Sequence, residues 1–169
     1  MKLLVVVDMQ NDFIDGALGS PEAVGIVENV KKKIENFQGE VVFTQDTHYD
    51  DYLSTQEGEK LPVCHCVYNT KGWEICGQLL PFVKNSITKT TFGSCELPGH
   101  IVDCFGEEPS EIEIVGLCTD ICVISNAMIL KAAFPEATIS VDSACCAGVT
   151  PASHQNALSA MAAVQIEIK

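Results

Sequence analysis

Six short apolar runs alternate with segments of helical periodicity, and no other feature of the chain narrows its fold as far. The runs are "KLLVVV" (2–7), "EVVFTQ" (40–45), "SITKT" (86–90), "EIEIVGL" (111–117), "ATISVD" (137–142) and "VQIEI" (164–168). They are rich in β-branched residues and too short for buried helices, which marks them as strands. Between them, "SPEAVGIVENVKKKIENF" (20–37) reads as a helix, with Ser20 as N-cap, Pro21 at the first helical position and Glu22 in the first turn. Further helices are expected over 73–83, 96–105, 119–134 and from Thr150 to residue 163. Strand–helix–strand repetition calls for right-handed crossovers and hence an α/β fold, a parallel sheet covered by helices on both faces. In such folds ligands bind beyond the carboxyl ends of the strands.

At 169 residues the chain fits one domain, 1–169. Its net charge of −13, with ten Lys and Arg and no basic stripe, implies no nucleic-acid and no membrane partner. No stretch approaches the roughly 20 apolar residues of a membrane span. The first apolar run meets Asp8 too early for a secretory signal. Nine cysteines, an odd number, fit free thiols in a reducing cytoplasm. Cys104, Cys145 and Cys146 read as small buried hydrophobes.

The residues just after the strands carry the chemistry. Asp8 follows five consecutive apolar residues, where a carboxylate is costly unless partnered. Lys89 ends the third strand, and Cys118 and Cys122 follow the fourth. A helix beginning near Thr119 or Asp120 puts Cys122 in its first turn, where unpaired N–H groups and the helix dipole favour a thiolate. Taken singly, Cys122 reads equally as a packed helix cysteine, Asp8 as a loop-start carboxylate and Lys89 as a surface lysine. Taken together, an acid, a cation and a thiol on one crevice supply what nucleophilic catalysis needs.

"VVVDMQNDF", "TQDTH", "HCV", "TKTTFGS" and "VGLCTDICV", in that order between residue 4 and about residue 146, resemble the isochorismatase-like cysteine hydrolases, above all their nicotinamidase (pyrazinamidase) branch. The resemblance implies a three-layer α/β/α sandwich around a six-stranded, mostly parallel sheet. It implies a catalytic triad of Asp8, Lys89 and Cys122. It also implies a cis peptide bond between Leu117 and Cys118, and an oxyanion hole formed by the backbone N–H groups of Cys118 and Cys122. The substrate is then a small amide, cleaved through a cysteine thioester, and the assembly a homo-oligomer.

"DTH" sets Asp46 and His48 two residues apart, so that both can reach one ion, and His65 is the third position that the resemblance assigns to a metal. One carboxylate and two imidazoles suit a divalent metal, zinc first, with iron or manganese as alternatives. Two plainer readings stand beside this: His48 as a surface loop residue, and Cys64, His65, Cys66 and Cys76 as a structural zinc site, although C-x-C is not the usual zinc spacing. Phe13 and Trp73 are candidate walls around a flat ring, with Trp73 reading equally as a core or dimer residue. The chain departs from the nicotinamidase pattern at Thr47, where those enzymes carry Trp, and at "YNTKGWE" after "HCV". Rival functions are isochorismate, ureide or carbamate cleavage on the same scaffold, and a non-catalytic thiol- or metal-sensing module. Cys122 with Asp46, His48 and His65 argues against isochorismate, and a set including Asp8 and Lys89 argues against sensing.

Overall fold

The computed structural model describes residues 1–169. The strands are β1 (Lys2–Val7), β2 (Glu40–Asp46), β3 (Ser86–Lys89), β4 (Glu111–Leu117), β5 (Thr138–Ala147) and β6 (Glu167–Ile168). They form one six-stranded sheet in the order β3-β2-β1-β4-β5-β6. Every neighbouring pair is parallel. The helices are α1 (Asn11–Ile14), α2 (Pro21–Asn36), α3 (Gln56–Lys60), α4 (Leu97–Phe105), α5 (Ile124–Ala133) and α6 (Pro151–Ala163).

Alternation along β1 explains the three layers. Leu3, Val5 and Val7 point to one face, where they meet Leu97 and Ile101 of α4, Leu130 of α5 and Met161 of α6. Leu4 and Val6 point to the other, against Ala23, Ile26, Val27 and Val30 of α2. Both faces of β1 are thus dry, and each such side chain contributes about 1.5–3 kcal/mol through burial. α2 begins as its sequence dictates: Ser20 Oγ accepts from the Ala23 N–H at 3.0 Å, with Pro21 at the first helical position. The chain winds outward from β1 in both directions, so a crevice opens between the carboxyl ends of β1 and β4.

Four departures from the sequence reading have local causes. The helix expected over 73–83 is a single 3₁₀ turn at Leu80–Phe82. The preceding residues are drawn out along the chain after β1: Asn11 N–H donates to the Glu74 carbonyl at 3.0 Å and Cys76 N–H to the Met9 carbonyl at 2.9 Å. β5 does not end at Asp142 but continues to Ala147 across a register shift opposite Ile114 and Gly116. Cys145 and Cys146 are buried in it, whereas Cys104 is exposed on α4. The short helices α1 and α3, of 4 and 5 residues, carry too little periodicity to be seen in the sequence.

Candidate active site

Each strand that ends at the crevice delivers one polar side chain into it. Asp8 leaves β1 with a φ of 47°, in the left-handed region. Its Oδ1 accepts the Thr44 hydroxyl at 2.6 Å and its N–H donates to the Thr44 carbonyl at 3.2 Å, so β2 holds it in place. Lys89 arrives from β3. Its Nζ lies 2.6 Å from Asp8 Oδ2, 3.1 Å from Asp46 Oδ1 and 3.5 Å from Cys122 Sγ. Asp8, Lys89 and Cys122 are all buried. Asp8 Oδ2 has the ammonium beside it as an ion pair but no aligned hydrogen-bond donor.

Cys122 sits in the turn that opens α5. This turn is wider than an α-turn: Val123 N–H reaches back to the Cys118 carbonyl at 3.0 Å, and Ile121 N–H to the same oxygen at 3.1 Å. The Leu117–Cys118 peptide bond is cis. The Cys118 N–H meets no acceptor within the protein. One step earlier, Gly116 has a φ of 119°, and a Cβ there would run into the Val7 carbonyl oxygen. Only glycine lets β4 close this tightly on β1.

The electrostatics correct one expectation. A helix mouth alone would ionise the sulfur, but burial raises the Cys122 pKa well above the usual thiol value, and the negative charge of Asp8 raises it further, against the pull of Lys89. Burial thus works against the thiolate that the helix position favours, and Lys89 works for it. Asp8 is also raised, first by burial and then by Asp46, with Lys89 opposing. Burial would lower Lys89, but Asp8, Cys122 and Asp46 outweigh it and keep the ammonium charged.

Beside this triplet, Asp46, His48, Glu57 and His65 bring four ligand-type atoms within 4.8 Å of one another. His48 Nε2 is 3.0 Å from Asp46 Oδ2 and 3.5 Å from Glu57 Oε1. His65 Nε2 is 3.6 and 3.8 Å from the same two oxygens. His65 Nδ1 pairs with the Val63 carbonyl at 2.8 Å, which turns its other nitrogen to the cluster. His48 Nε2 is buried without a hydrogen-bond partner. An orphaned imidazole nitrogen facing two carboxylates and a second imidazole is a donor set that fits a divalent metal. Burial would raise the Asp46 carboxyl, but the two imidazoles and Lys89 hold it well below the usual range.

Sequence reasoning missed two members of this region. Glu57 enters from the first turn of α3, which Thr55 caps by accepting from the Gly58 N–H at 3.0 Å. "STQEGEK" carries a capping signal, but nothing in its spacing aims Glu57 at His48. Gln10 is fully buried, and its amide grips both backbone groups of Asp46, at 2.7 and 2.8 Å. The alternative zinc site of Cys64, His65, Cys66 and Cys76 is not assembled: Cys64 is exposed, and no cysteine belongs to the cluster.

Phe13, Leu18, Leu61, Phe92 and Ile121 wall a narrow cleft with Cys122, Asp46, Glu57 and His65 on its sides. Phe13 lies 5.5 Å from the His65 ring. Trp73 is elsewhere: its Nε1–H donates to the Thr47 hydroxyl at 2.9 Å, and its ring packs edge-on to Tyr68 at 5.1 Å. The small hydroxyl at residue 47 is what holds it there. Asp142 is also outside the site, paired with Lys33 at 2.7 Å.

A parallel sheet with a buried acid, ammonium and thiol at its carboxyl edge is an α/β fold with the parts of a thiol-nucleophile site, and residues 2–168 match the isochorismatase domain family. The chain belongs to the isochorismatase family of hydrolases. A pyrazinamidase of Pyrococcus horikoshii, solved in complex with zinc, superposes with a TM-score of 0.81 at 26% identity over 99% of this chain and 98% of that one. An N-carbamoylsarcosine amidase of Thermoplasma acidophilum gives 0.77 at 25% identity, over 99% and 95%. The nicotinamidase of Saccharomyces cerevisiae is 32% identical over 110 residues, 47% of this chain and half of that protein.

Proposed function

We propose that this protein hydrolyses a small amide, nicotinamide or a close analogue, to the acid and ammonia through a thioester on Cys122. The observation that carries this reading is the buried contact of one ammonium with both a carboxylate and a thiol, 2.6 Å and 3.5 Å from Lys89 Nζ. Asp8 takes the thiol proton as sulfur attacks the carbonyl carbon. Burial raises both groups, and Lys89 stays charged beside whichever one is negative. The oxyanion meets the backbone N–H groups of Cys118 and Cys122, and losing one such donor costs about 3–4 kcal/mol. Asp8 returns the proton to the departing nitrogen as the C–N bond breaks. Water then attacks the thioester, Asp8 takes its proton, and the acid leaves as the sulfur regains a proton.

Asp46, His48, Glu57 and His65 would hold a divalent metal, zinc by analogy with the Pyrococcus horikoshii protein. Once bound, that ion supplies a positive charge that orients a lone pair of the substrate. Phe13 supports one face of a ring in the cleft. The nine unpaired thiols suit a reducing cytoplasm.

A carbamoyl substrate is the second reading. It is favoured by the position of Trp73, which leaves Phe13 without the expected partner across a ring, and by the likeness to an N-carbamoylsarcosine amidase. The test is ammonia release from nicotinamide, pyrazinamide and N-carbamoyl amino acids by the metal-loaded protein. Cys122→Ala abolishes release, while Cys118→Ala, which keeps its backbone donor, stays within about tenfold of the parent. The reverse order of effects moves the nucleophile to Cys118, and no release from any member ends the amidase reading.

A further inference from the structure

The turn bearing Cys118 and Cys122 is pinned from outside the site. Thr119 is fully buried, and its hydroxyl has a single partner, His154 Nδ1, at 2.8 Å. His154 lies in the first turn of α6, more than thirty residues along the chain. The next residue of the turn is tied to the same segment, since the Asp120 carboxylate accepts from the Val149 N–H at 3.1 Å. Leu117 and Ala147 are register partners at the ends of β4 and β5, so the two chain segments leave the sheet side by side. Gly148 then permits the approach of α6: a Cβ there would stand 2.9 Å from His154 Cβ. The fold therefore brings His154 to a hydroxyl that would otherwise be buried without a partner.

We infer that His154 is a positioning residue: through Thr119 it fixes the turn whose Cys118 N–H and Cys122 thiol do the chemistry. This rests on the amidase reading for its kinetic consequence, but not for its geometry. The ring works as a neutral hydrogen-bonding strut. Burial holds its pKa below the ordinary histidine value, against the opposing charge of Asp120. Its partner hydroxyl donates or accepts according to the ring tautomer. His154 touches neither the cleft nor the reacting atoms. Its loss therefore displaces the donors without changing what lines the substrate.

The experiment pairs His154→Leu and Thr119→Val with His154→Asn, whose side chain can return a polar atom to the Nδ1 position, and Thr119→Ser. Gln155→Ala, exposed on the same helix, is the control. On the amide that the protein hydrolyses, His154→Leu and Thr119→Val lower kcat about tenfold or more, as a sub-ångström to ångström misplacement does. KM stays within about threefold, because ground-state contacts are kept. Asn and Ser restore most of the rate, and the Leu/Val double variant is no worse than the poorer single one, since both remove the same bond. Thr119→Val is nearly isosteric and keeps the test sound if His154→Leu folds poorly. Unchanged kcat in both apolar variants, losses that multiply in the double variant, or an equal rise in KM overturns the inference. If the wild-type chain hydrolyses no amide, the functional reading falls but the positioning is still decided by iodoacetamide alkylation of Cys122, followed by mass on its own peptide. His154→Leu then slows alkylation severalfold and His154→Asn does not, whereas equal rates in both refute the strut.

Discussion

At the scale of single residues, the site turns on where one proton rests. In the proposed mechanism Asp8 must be ionised to accept it, and burial with Asp46 nearby holds its pKa above the ordinary carboxylate value of about 3.9. Activity is therefore absent when Asp8 is protonated and rises as pH passes its raised pKa. The acid limb of kcat/KM lies above pH 4, and Asp8→Asn removes turnover at every pH while the circular dichroism spectrum stays native. An acid limb at or below about pH 4, or an Asn variant that keeps most of its rate, removes Asp8 from the proton path. Lys89 is held by the same contacts from the other side. Lys89→Met leaves Asp8 and Asp46 as buried carboxylates without their ammonium. Breaking a buried pair in this way costs about 3–5 kcal/mol, which a denaturant titration reads directly.

At the scale of elements, the strand ends were legible and the loops were not. Asp8, Asp46, Lys89 and Cys122 follow from one rule, that polar residues at the carboxyl ends of parallel strands face a common crevice. Sequence distance does not hide them, because the sheet aligns strands of any separation. Glu57 and Gln10 escaped because they reach Asp46 and His48 from segments whose paths only tertiary contacts decide. Trp73 lies outside the cleft because the Thr47 hydroxyl accepts its indole N–H, a contact across 26 residues that no local pattern shows. The thiol was expected to be ionised from its helix position. The helix position is right, but the full burial that reverses the sign could not be read from a local pattern. Glu57 gives a prediction at this scale. α3 is short and carries one of the four side chains proposed to hold a metal, so on that proposal a bound ion ties it to the β2 end and metal content depends on Glu57. Glu57→Gln, which keeps size and loses charge, weakens zinc affinity about 10–100-fold. It also removes most of the zinc-induced rise in Tm that preferential binding to the folded state produces. Metal analysis after dialysis against a chelator series measures the first, and melting with and without added zinc the second. Equal metal retention by the variant leaves Glu57 outside the cluster.

Across the whole molecule, a second network of paired charges lies outside the crevice. Glu113 on β4 lies 2.6 Å from Lys33 of α2 and 2.7 Å from Lys169, and Lys33 also meets Asp142 at 2.7 Å. Burial alone would raise both carboxyls. Lys169 and Lys33 outweigh it at Glu113, and Lys33 outweighs it at Asp142, so both are depressed. A depressed carboxyl contributes stability that is present in full above its unfolded pKa and is lost as pH falls through the folded one. For these groups that window lies below about pH 4.5, from the unfolded carboxyl values downward. The network's contribution is therefore whole at pH 7 and gone at strongly acidic pH. Lys33→Met removes the cation common to both carboxyls. Its Tm falls below that of the parent at pH 7, and the gap narrows as pH drops below about 4.5. Comparing the two proteins at each pH cancels the change in the net charge of −13, which both carry apart from one unit. A gap that stays constant from pH 7 to pH 2.5 assigns the loss to the lysine's apolar stem packing on the sheet rather than to its charge.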